Sequence, residues 1–321
     1  MGTLSAGFRS HLEEHWIVGK PVPLWEAVQR LNFTVTLKAL LGESVKSDSV
    51  ELQKAFHAFD GWFEIASSDI PHLLLWKFTS AKALLLKELR AVATTLSPKS
   101  GAASRNTGES MRDELGEEGL EYWLLAIMWA GEANAIPTLW WTLYYMSRQA
   151  KYLQKTLEQI HLVLNGRQIS QLSYKELLSI TSVKNALEES IRMHAPPLIV
   201  RGARQSIVTK DFEVPKGHFI CLSPFWAHRE ESAYSQAGEW NPDRWNEAST
   251  RTAVNLAFGR GKYRCPGQSF AYCGMIVALC HIITSFDVEI KGEALIDPNN
   301  LVGMTKPLRD LELTLSPRGS N

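Results

Sequence analysis

The sequence predicts a mainly α-helical fold with a small β portion in the C-terminal half of its 321 residues. Apolar residues recur at helical spacing through residues 1–95, a long apolar segment runs from Leu120 to Met146, and strand-like patterns appear only after residue 198. Apolar residues make up 45% of the chain, enough for a sizeable core. This length allows two domains or one large one, and we expect residues 1–321 to form a single domain.

The first third is predicted to contain helices separated by short breaks. Residues 24–33 and 56–63 carry apolar side chains at mostly helical spacing. Ile70 to Trp76 is a short apolar segment that contains a proline. It is either part of the core or a loop that touches a membrane surface or guards a ligand entrance. Residues 97–118 are rich in Ser, Gly and charge, which predicts a flexible surface connection.

Few charges interrupt the apolar segment from Leu120 to Met146, which predicts a buried helix on the order of 40 Å long. Gly131 and Pro137 are poor helix formers, so we expect a local kink or widening near them. The later elements are predicted to be a helix at 151–164, a helix opened by a capping box at 173–176, a helix at 182–193 stopped by prolines 196 and 197, strands at 199–207 and 219–222, a helix at 269–283 and a strand at 311–315.

Charge and cysteine content exclude several classes of protein. Lys+Arg and Asp+Glu both number 34, so net charge does not favour binding to nucleic acid. The four cysteines form no CxxC pair, which argues against a zinc knuckle, and they are too few in a chain of this length for a secreted disulfide framework. The N-terminal residues do not resemble a signal peptide, and no stretch approaches about 20 apolar residues, so we expect no membrane-spanning segment.

The most specific motif is Phe258-Gly-Arg-Gly-Lys-Tyr-Arg-Cys-Pro-Gly267. Its first two glycines let the backbone turn tightly and approach a flat ligand. Cys265 lies just before a predicted helix, where backbone N–H groups, the helix dipole and three nearby cations favour a thiolate. A thiolate is a ligand that haem iron uses to favour O–O cleavage. The alternative interpretation is a Gly-rich loop with an incidental cysteine.

This segment resembles the haem-binding loop of the cytochrome P-450 superfamily, F-G-x-G-x-(R/H)-x-C-x-G. Every fixed position matches except one, because Tyr263 stands where Arg or His usually contacts a haem propionate. The resemblance implies haem b as the cofactor, with Cys265 as the axial ligand of its iron. The further residues that it places at the haem are Phe258, Gly259, Gly261, Arg264, Gly267 and the strand residue Arg201.

Glu189 and Arg192 form an E-x-x-R motif on one face of a predicted helix. In isolation, such a pair is usually a solvated ion pair of little energetic value. Here Pro242-Asp-Arg244-Trp follows, an order that resembles the superfamily's E-x-x-R helix and P-x-R-(F/W) loop. The resemblance implies that Glu189, Arg192 and Arg244 form a buried structural cluster that supports the haem loop. His228 matches less specifically, since a lone His is more often a satisfied core residue.

The third motif, residues 129–137, lies in the long apolar segment. Most of the superfamily has A-G-x-(D/E)-T here, where the acid and the Thr guide protons to bound oxygen. This chain has Ala133 and Asn134 at those two positions. Glu132 does not replace the acid, since each residue turns a helix by about 100°. The resemblance implies a catalytic role for Ala130, Gly131 and Asn134.

Asn134, followed by a proline three residues later and then by Trp, resembles the sterol 7α- and 12α-hydroxylases and prostacyclin synthase. Within this group, residues 222–226, 228–229 and 301–303 are most similar to oxysterol 7α-hydroxylase. A sterol or oxysterol is then the implied substrate, and an apolar lining suits it. The residues expected to contact it are Trp129, Ile136, Leu198, Ile199, Val200, Val302 and Met304.

The resemblance implies sterol hydroxylation with O2 and electrons from an NADPH-dependent flavoprotein reductase, at the endoplasmic reticulum membrane. Cations at 260, 262 and 264 either attract an acidic partner or serve propionate binding and solubility.

A prostacyclin-synthase-like isomerase, which needs neither O2 nor reductase, is a second hypothesis. The absence of the acid and the alcohol at residues 133 and 134 agrees with it equally well. The family's N-terminal part, with a membrane anchor and helices that cover the haem, has no counterpart here. An N-terminally truncated, non-catalytic haem-binding product is therefore a third hypothesis.

Overall fold

A computed structural model describes residues 2–68, 70–95, 105–196, 198–247, 250 and 255–319. It confirms a mainly α-helical fold, and the helices expected within residues 1–95 are present. Ser49 caps the third of them, since its side chain accepts a hydrogen bond from the Leu52 backbone. The first four helices are α1 Gly2–His15, α2 Leu24–Leu41, α3 Val50–Ala66 and α4 Trp76–Thr95.

The prediction of a flexible connection at 97–118 is wrong for its described part. Helix α5 (Arg105–Glu132) already includes residues 105–118, with a change of direction at Gly116, whose φ of 72° only glycine adopts readily. A polar, charged composition suits a solvent-exposed helix as well as a loop, because only the buried face of a helix must be apolar. Residues 97–104 lie outside the described part of the chain.

The long apolar segment is two helices with a break between them. Helix α5 ends at Glu132, and α6 (Ala135–Ser147) begins after a turn at Ala133 and Asn134. The predicted kink near Gly131 and Pro137 is therefore confirmed. Helix α6 is buried along nearly its whole length, as expected for a helix that is apolar all round.

The following helices are close to their predicted bounds. Ser173 and Glu176 form the predicted capping box, in which each side chain bonds to the backbone of the other residue. Asn165 ends the amphipathic helix in the left-handed conformation, with φ of 46°. These helices are α7 Ala150–Leu164, α8 Tyr174–Ser179, α9 Thr181–Met193 and α11 Gln268–Ser285. The short α10 Pro224–Ala227 was not predicted.

The described β structure forms three small antiparallel sheets. The strand predicted at 199–207 is two shorter strands, because residues 203–206 leave the ladder. The strands are β1 Val22–Pro23, β2 Ile199–Gly202, β3 Ile207–Val208, β4 Glu213–Val214, β5 Phe219–Leu222, β6 Phe286–Lys291 and β7 Glu312–Pro317. Strand β7 pairs with both β1 and β6, β2 pairs with β5, and β3 pairs with β4.

Helix α11 is the centre of the core and begins just after Cys265. It packs against α1, α6, α8 and α9, and its residues from Tyr272 to Ile283 are buried. Within the described ranges it is also the one helix whose length and composition would allow it to cross a membrane, although our sequence prediction found no such segment. Because 61% of it is buried inside the fold, it has the surroundings of a core helix.

Candidate functional site

The loop from Phe258 to Gly267 is shaped by its glycines and leaves Cys265 exposed. Gly259 and Gly261 have φ of 66° and 60°. A Cβ at Gly259 would lie 2.6 Å from the Tyr263 carbonyl oxygen, so no other residue fits there without moving the backbone. The Cys265 N–H donates to the Phe258 carbonyl at 2.8 Å and closes the loop. The loop thus holds an accessible thiol three residues before α11.

Two cations lie beside the Tyr263 ring of this thiol loop. The Arg201 guanidinium, on β2, lies 4.7 Å from the centre of the Tyr263 ring, and Lys262 lies 5.0 Å from the same ring. Tyr263 replaces the usual Arg or His, and its ring orients Arg201 by a cation–π contact. Arg264 bonds to Gln268 on the first turn of α11 at 3.1 Å. The exposed cations suit the propionate edge of a haem, and the Cys265 thiol suits its iron.

The three charges of the predicted cluster meet in the interior. Glu189 accepts hydrogen bonds from Arg192 at 3.0 and 2.9 Å and from Arg244 Nε at 2.9 Å, and all three side chains are buried. The Asn241 N–H and the Trp245 indole also donate to Glu189, each at 3.0 Å. The remaining guanidinium N–H groups bond to backbone carbonyls of residues 228–239. Full pairing offsets the cost of burying these charges.

His228 connects this cluster to the thiol loop, which the sequence indicates only weakly. Its imidazole is fully buried. The ring Nε2 accepts the Leu256 N–H at 2.9 Å, so the proton is on Nδ1, which lies 3.3 Å from the Arg192 carbonyl. Leu256 in turn accepts from Gly259 N–H at 2.9 Å. A continuous path of hydrogen bonds therefore joins Arg192 to the start of the loop.

One face of α5 is open near the helix break. Ala126, Ala130 and Asn134, spaced by four residues, are exposed, while their neighbours pack inward. Gly131 does not share this face: a Cβ there would lie 2.5 Å from Leu40 Cδ1, so its missing side chain lets α5 approach α2. Gly131 thus faces α2, whereas Ala130 and Asn134 lie at the open face, and the catalytic role expected of all three stays a prediction.

Glu132 points away from the open face, as the helix geometry predicts. It is fully buried and accepts a hydrogen bond from Asn32 Nδ2, on α2, at 2.6 Å. Burial raises the pKa of this carboxyl to about 8, and the Asn32 hydrogen bond only partly opposes the effect. Because Oε1 is buried without a hydrogen-bond partner within the described residues, the neutral acid is the favoured form.

Residues 300–306 form a segment that α3 and the helix break hold in place. Glu64 Oε1 accepts the Leu301 and Val302 N–H groups, at 2.8 and 2.6 Å, and also Asn300 Nδ2. Asp60 pairs with Lys306 at 2.6 Å and accepts the indole N–H of Trp129. Asn134 Oδ1 accepts the Met304 N–H at 2.9 Å. Five hydrogen bonds to three side chains make this segment a fixed wall beside the open face of α5.

The end of the wall is anchored in the core by Thr305. Its hydroxyl bonds to His194 Nδ1 at 2.8 Å, its N–H donates to the His194 carbonyl, and its carbonyl accepts the Trp141 indole N–H. His194 also stacks on Trp141, with ring centres 3.7 Å apart. Burial, with Arg229 and Arg192 nearby, holds the pKa of His194 well below its usual range, so the imidazole is neutral.

The predicted substrate residues fall into two groups. Leu198, Val200 and Val302 expose apolar side chains, and Ile199 is partly exposed. Ile136 and Met304 are instead buried in the hydrophobic core, so their expected contact with the substrate stays a prediction. Trp129 is half-buried and stacks on Phe63 of α3, with ring centres 4.1 Å apart. The strand residues and Val302 are thus the better candidates for substrate contact.

Sequence reasoning missed Asp60, Glu64 and Thr305, the residues that fix the wall. Asp60 and Glu64 lie one turn apart on α3, the only local sign that they act together. Their partners in the wall are more than 230 residues away in sequence. No local pattern indicates such contacts.

Comparison with known proteins agrees with this geometry. The family model described as Cytochrome P450 matches residues 95–313, more than half of the chain. The 24-hydroxycholesterol 7-alpha-hydroxylase of Mus musculus is 28% identical over 300 residues, and that of Homo sapiens is 27% identical over 302 residues. Each alignment covers 87% of this chain, and the chain spans 63% of the length of each relative.

A solved structure gives the same fold. The heme domain of cytochrome P450DA matches with a TM-score of 0.81 at 19% identity, over 99% of this chain and 72% of that chain. At this identity the similarity is evidence for the fold alone. Taken with the family model and the thiol loop, it leads to one conclusion: the chain belongs to the cytochrome P450 family, whose members are haem-iron enzymes.

Proposed function

We propose that this chain is the haem-carrying part of a monooxygenase that hydroxylates a sterol. The proposed substrate is an oxysterol, and the proposed position is C7. One observation carries the proposal: the exposed Cys265 thiol is held on a glycine-shaped loop, beside Arg201 and in hydrogen-bonded connection with a buried charge cluster. The names of the 24-hydroxycholesterol 7-alpha-hydroxylases support the choice of substrate class.

In this proposal, Cys265 would hold haem b through its iron and Arg201 would hold a propionate. Bound haem supplies the activation of O2, with one oxygen atom inserted into a C–H bond and the other released as water at the expense of two electrons and two protons. Leu198, Val200 and Val302 provide apolar surface for the sterol. The Glu189 cluster acts only on the shape of the thiol loop.

The electrons would come from an NADPH-dependent flavoprotein reductase. Arg260, Lys262 and Arg264 are exposed around the thiol loop and give a positive surface for an acidic partner. Electrostatic steering of this kind weakens as ionic strength rises. A salt-sensitive reduction rate is therefore expected.

In this proposal the chain also touches a membrane peripherally, at the endoplasmic reticulum. The apolar segment from Ile70 to Trp76, between α3 and the start of α4, supports such contact. Leu73, Leu74 and Trp76 are 90, 68 and 66% exposed, whereas Leu75 is buried. The segment was expected to be core or a surface loop, and its exposure favours the second interpretation. Three large exposed apolar side chains within four residues, followed by Lys77, suit insertion at the level of lipid headgroups.

Turnover assays distinguish the proposed hydroxylase from a haem isomerase. The chain would be reconstituted with haem, an NADPH-dependent flavoprotein reductase and 24-hydroxycholesterol, with and without O2. We expect a hydroxylated product that requires NADPH, reductase and O2. Rearrangement of a lipid endoperoxide without any of these would instead identify an isomerase, a reaction that the replacement of the acid and alcohol by Ala133 and Asn134 also permits. No turnover by the haem-loaded chain in either assay would overturn both activities.

A further inference from the structure

Asn134 occupies the break between α5 and α6 but does not cap the helix that follows it. An Asn before a helix usually accepts a hydrogen bond from a backbone N–H of the first turn. Here the side chain makes no such bond. The backbone carbonyl of Asn134 accepts instead from Thr138, through its hydroxyl at 2.6 Å and its N–H at 3.3 Å. The side-chain amide is therefore available for a contact outside its own helix.

That contact is the wall formed by residues 300–306. The Met304 N–H donates to Asn134 Oδ1 at 2.9 Å. A backbone N–H can only donate, so the amide must present its oxygen to Met304 and its NH2 group elsewhere. Within the described residues, the NH2 group has no hydrogen-bond partner.

Gly303 is shaped to receive this side chain. Its φ of 75° is one that residues with a side chain rarely adopt. A Cβ at Gly303 would lie 2.8 Å from Asn134 Oδ1, closer than a carbon and an oxygen can approach. A side chain at 303 would therefore have to displace the Asn134 amide, which bonds to the Met304 N–H.

We infer that Asn134 is a positioning residue. It ties the 300–306 wall, which includes the expected substrate contact Val302, to the break between α5 and α6, and so sets where an apolar substrate lies. This inference rests on the proposed function. An amide has no proton that titrates at neutral pH, so Asn134 does not deliver protons as an acid–alcohol pair does. Its free NH2 group offers two hydrogen-bond donors, which suit a hydroxyl or carbonyl oxygen of the substrate.

The test compares Asn134→Leu, which removes the acceptor, with Asn134→Asp, which keeps an oxygen at the same place, and with Gly303→Ala. Asn299→Leu is the matched control, because Asn299 is exposed and its side chain makes no hydrogen bond within the described residues. Backbone hydrogen exchange of residues 300–306 reports on the wall without any need for activity. The products formed from 24-hydroxycholesterol report on substrate position.

We expect Asn134→Leu and Gly303→Ala to speed exchange of the Met304 amide at least about tenfold, while Asn134→Asp and Asn299→Leu stay near wild type. The first two variants should also spread the product over more positions, with normal haem content. Unchanged exchange and unchanged products in Asn134→Leu would overturn the inference. If the wild-type chain takes up no haem, the proposed function fails, whereas the exchange experiment still decides whether Asn134 holds the wall.

Discussion

The imidazole of His228 accepts a hydrogen bond from the Leu256 backbone at 2.9 Å, on the path between Arg192 and the Cys265 loop. The loop itself is largely exposed, so it has little packing to hold its shape. The buried Glu189 cluster supports it through the His228 ring.

Replacing His228 with Phe should lower the free energy of unfolding and speed the dissociation of haem. The change leaves the Leu256 N–H and the Arg192 carbonyl without this partner, which typically costs about 1–3 kcal/mol. Urea unfolding gives the stability, and transfer of haem to excess apomyoglobin gives the dissociation rate, which should rise. His218→Phe is the control, since His218 is exposed. Equal behaviour of the two variants would contradict a supporting role for His228.

Glu189→Gln should be among the most destabilising single changes in the chain. It leaves the guanidinium groups of Arg192 and Arg244 buried without their counter-charge, for which the expected cost is about 3–5 kcal/mol. Urea unfolding of the variant measures this free energy. The same substitution at the exposed Glu158 should change it by less than about 0.5 kcal/mol. A loss at Glu189 as small as the loss at Glu158 would show that the cluster is not a structural centre.

Glu132 should make stability fall as the pH rises. Its pKa is about 8 in the fold against 4.5 in the unfolded chain, so the folded state binds more protons between these values. The free energy of unfolding then decreases by up to about 1.4 kcal/mol per pH unit across that window and levels off above it. Glu132→Gln is neutral at every pH and should lack this slope. Parallel pH curves for wild type and variant would refute a buried neutral carboxyl.

The exposed apolar segment should control lipid binding. A variant with Leu73→Ser and Trp76→Ser removes much of the apolar surface that would enter the headgroup layer. We expect it to float with phosphatidylcholine vesicles several-fold less than wild type, with an unchanged circular dichroism spectrum. Leu162→Ser, which alters an exposed apolar residue on α7, serves as the control. Equal flotation of all three proteins would exclude this segment as the contact.

Much of this molecule is predictable from local patterns. The kink near Gly131 and Pro137, the capping box at Ser173 and the charge triad of Glu189 each follow from short-range rules or from a family motif. The helix at residues 105–118 does not, because its polar composition is equally that of a loop. The direction of Gly131 toward Leu40 depends on where another helix lies, which periodicity cannot give.

In the site, too, some features follow from a local pattern and others depend on contacts between distant parts of the chain. A motif identifies Cys265, but the residues that fix its surroundings act across the chain. Glu64 reaches residues 301 and 302, and His228 reaches Leu256, through single polar atoms and backbone groups. Backbone N–H groups carry no sequence signature, so contacts to them are visible only in the structure.

The carbon monoxide difference spectrum of the reduced, haem-loaded chain tests the central proposal most directly. Thiolate ligation by Cys265 predicts the strongly red-shifted Soret band that a thiolate ligand gives. Cys265→Ser should abolish that band, and Cys221→Ser, which changes the other exposed cysteine, should keep it. Failure of the chain to take up haem, or an unchanged band in Cys265→Ser, would contradict the assignment of Cys265 as the ligand of the iron.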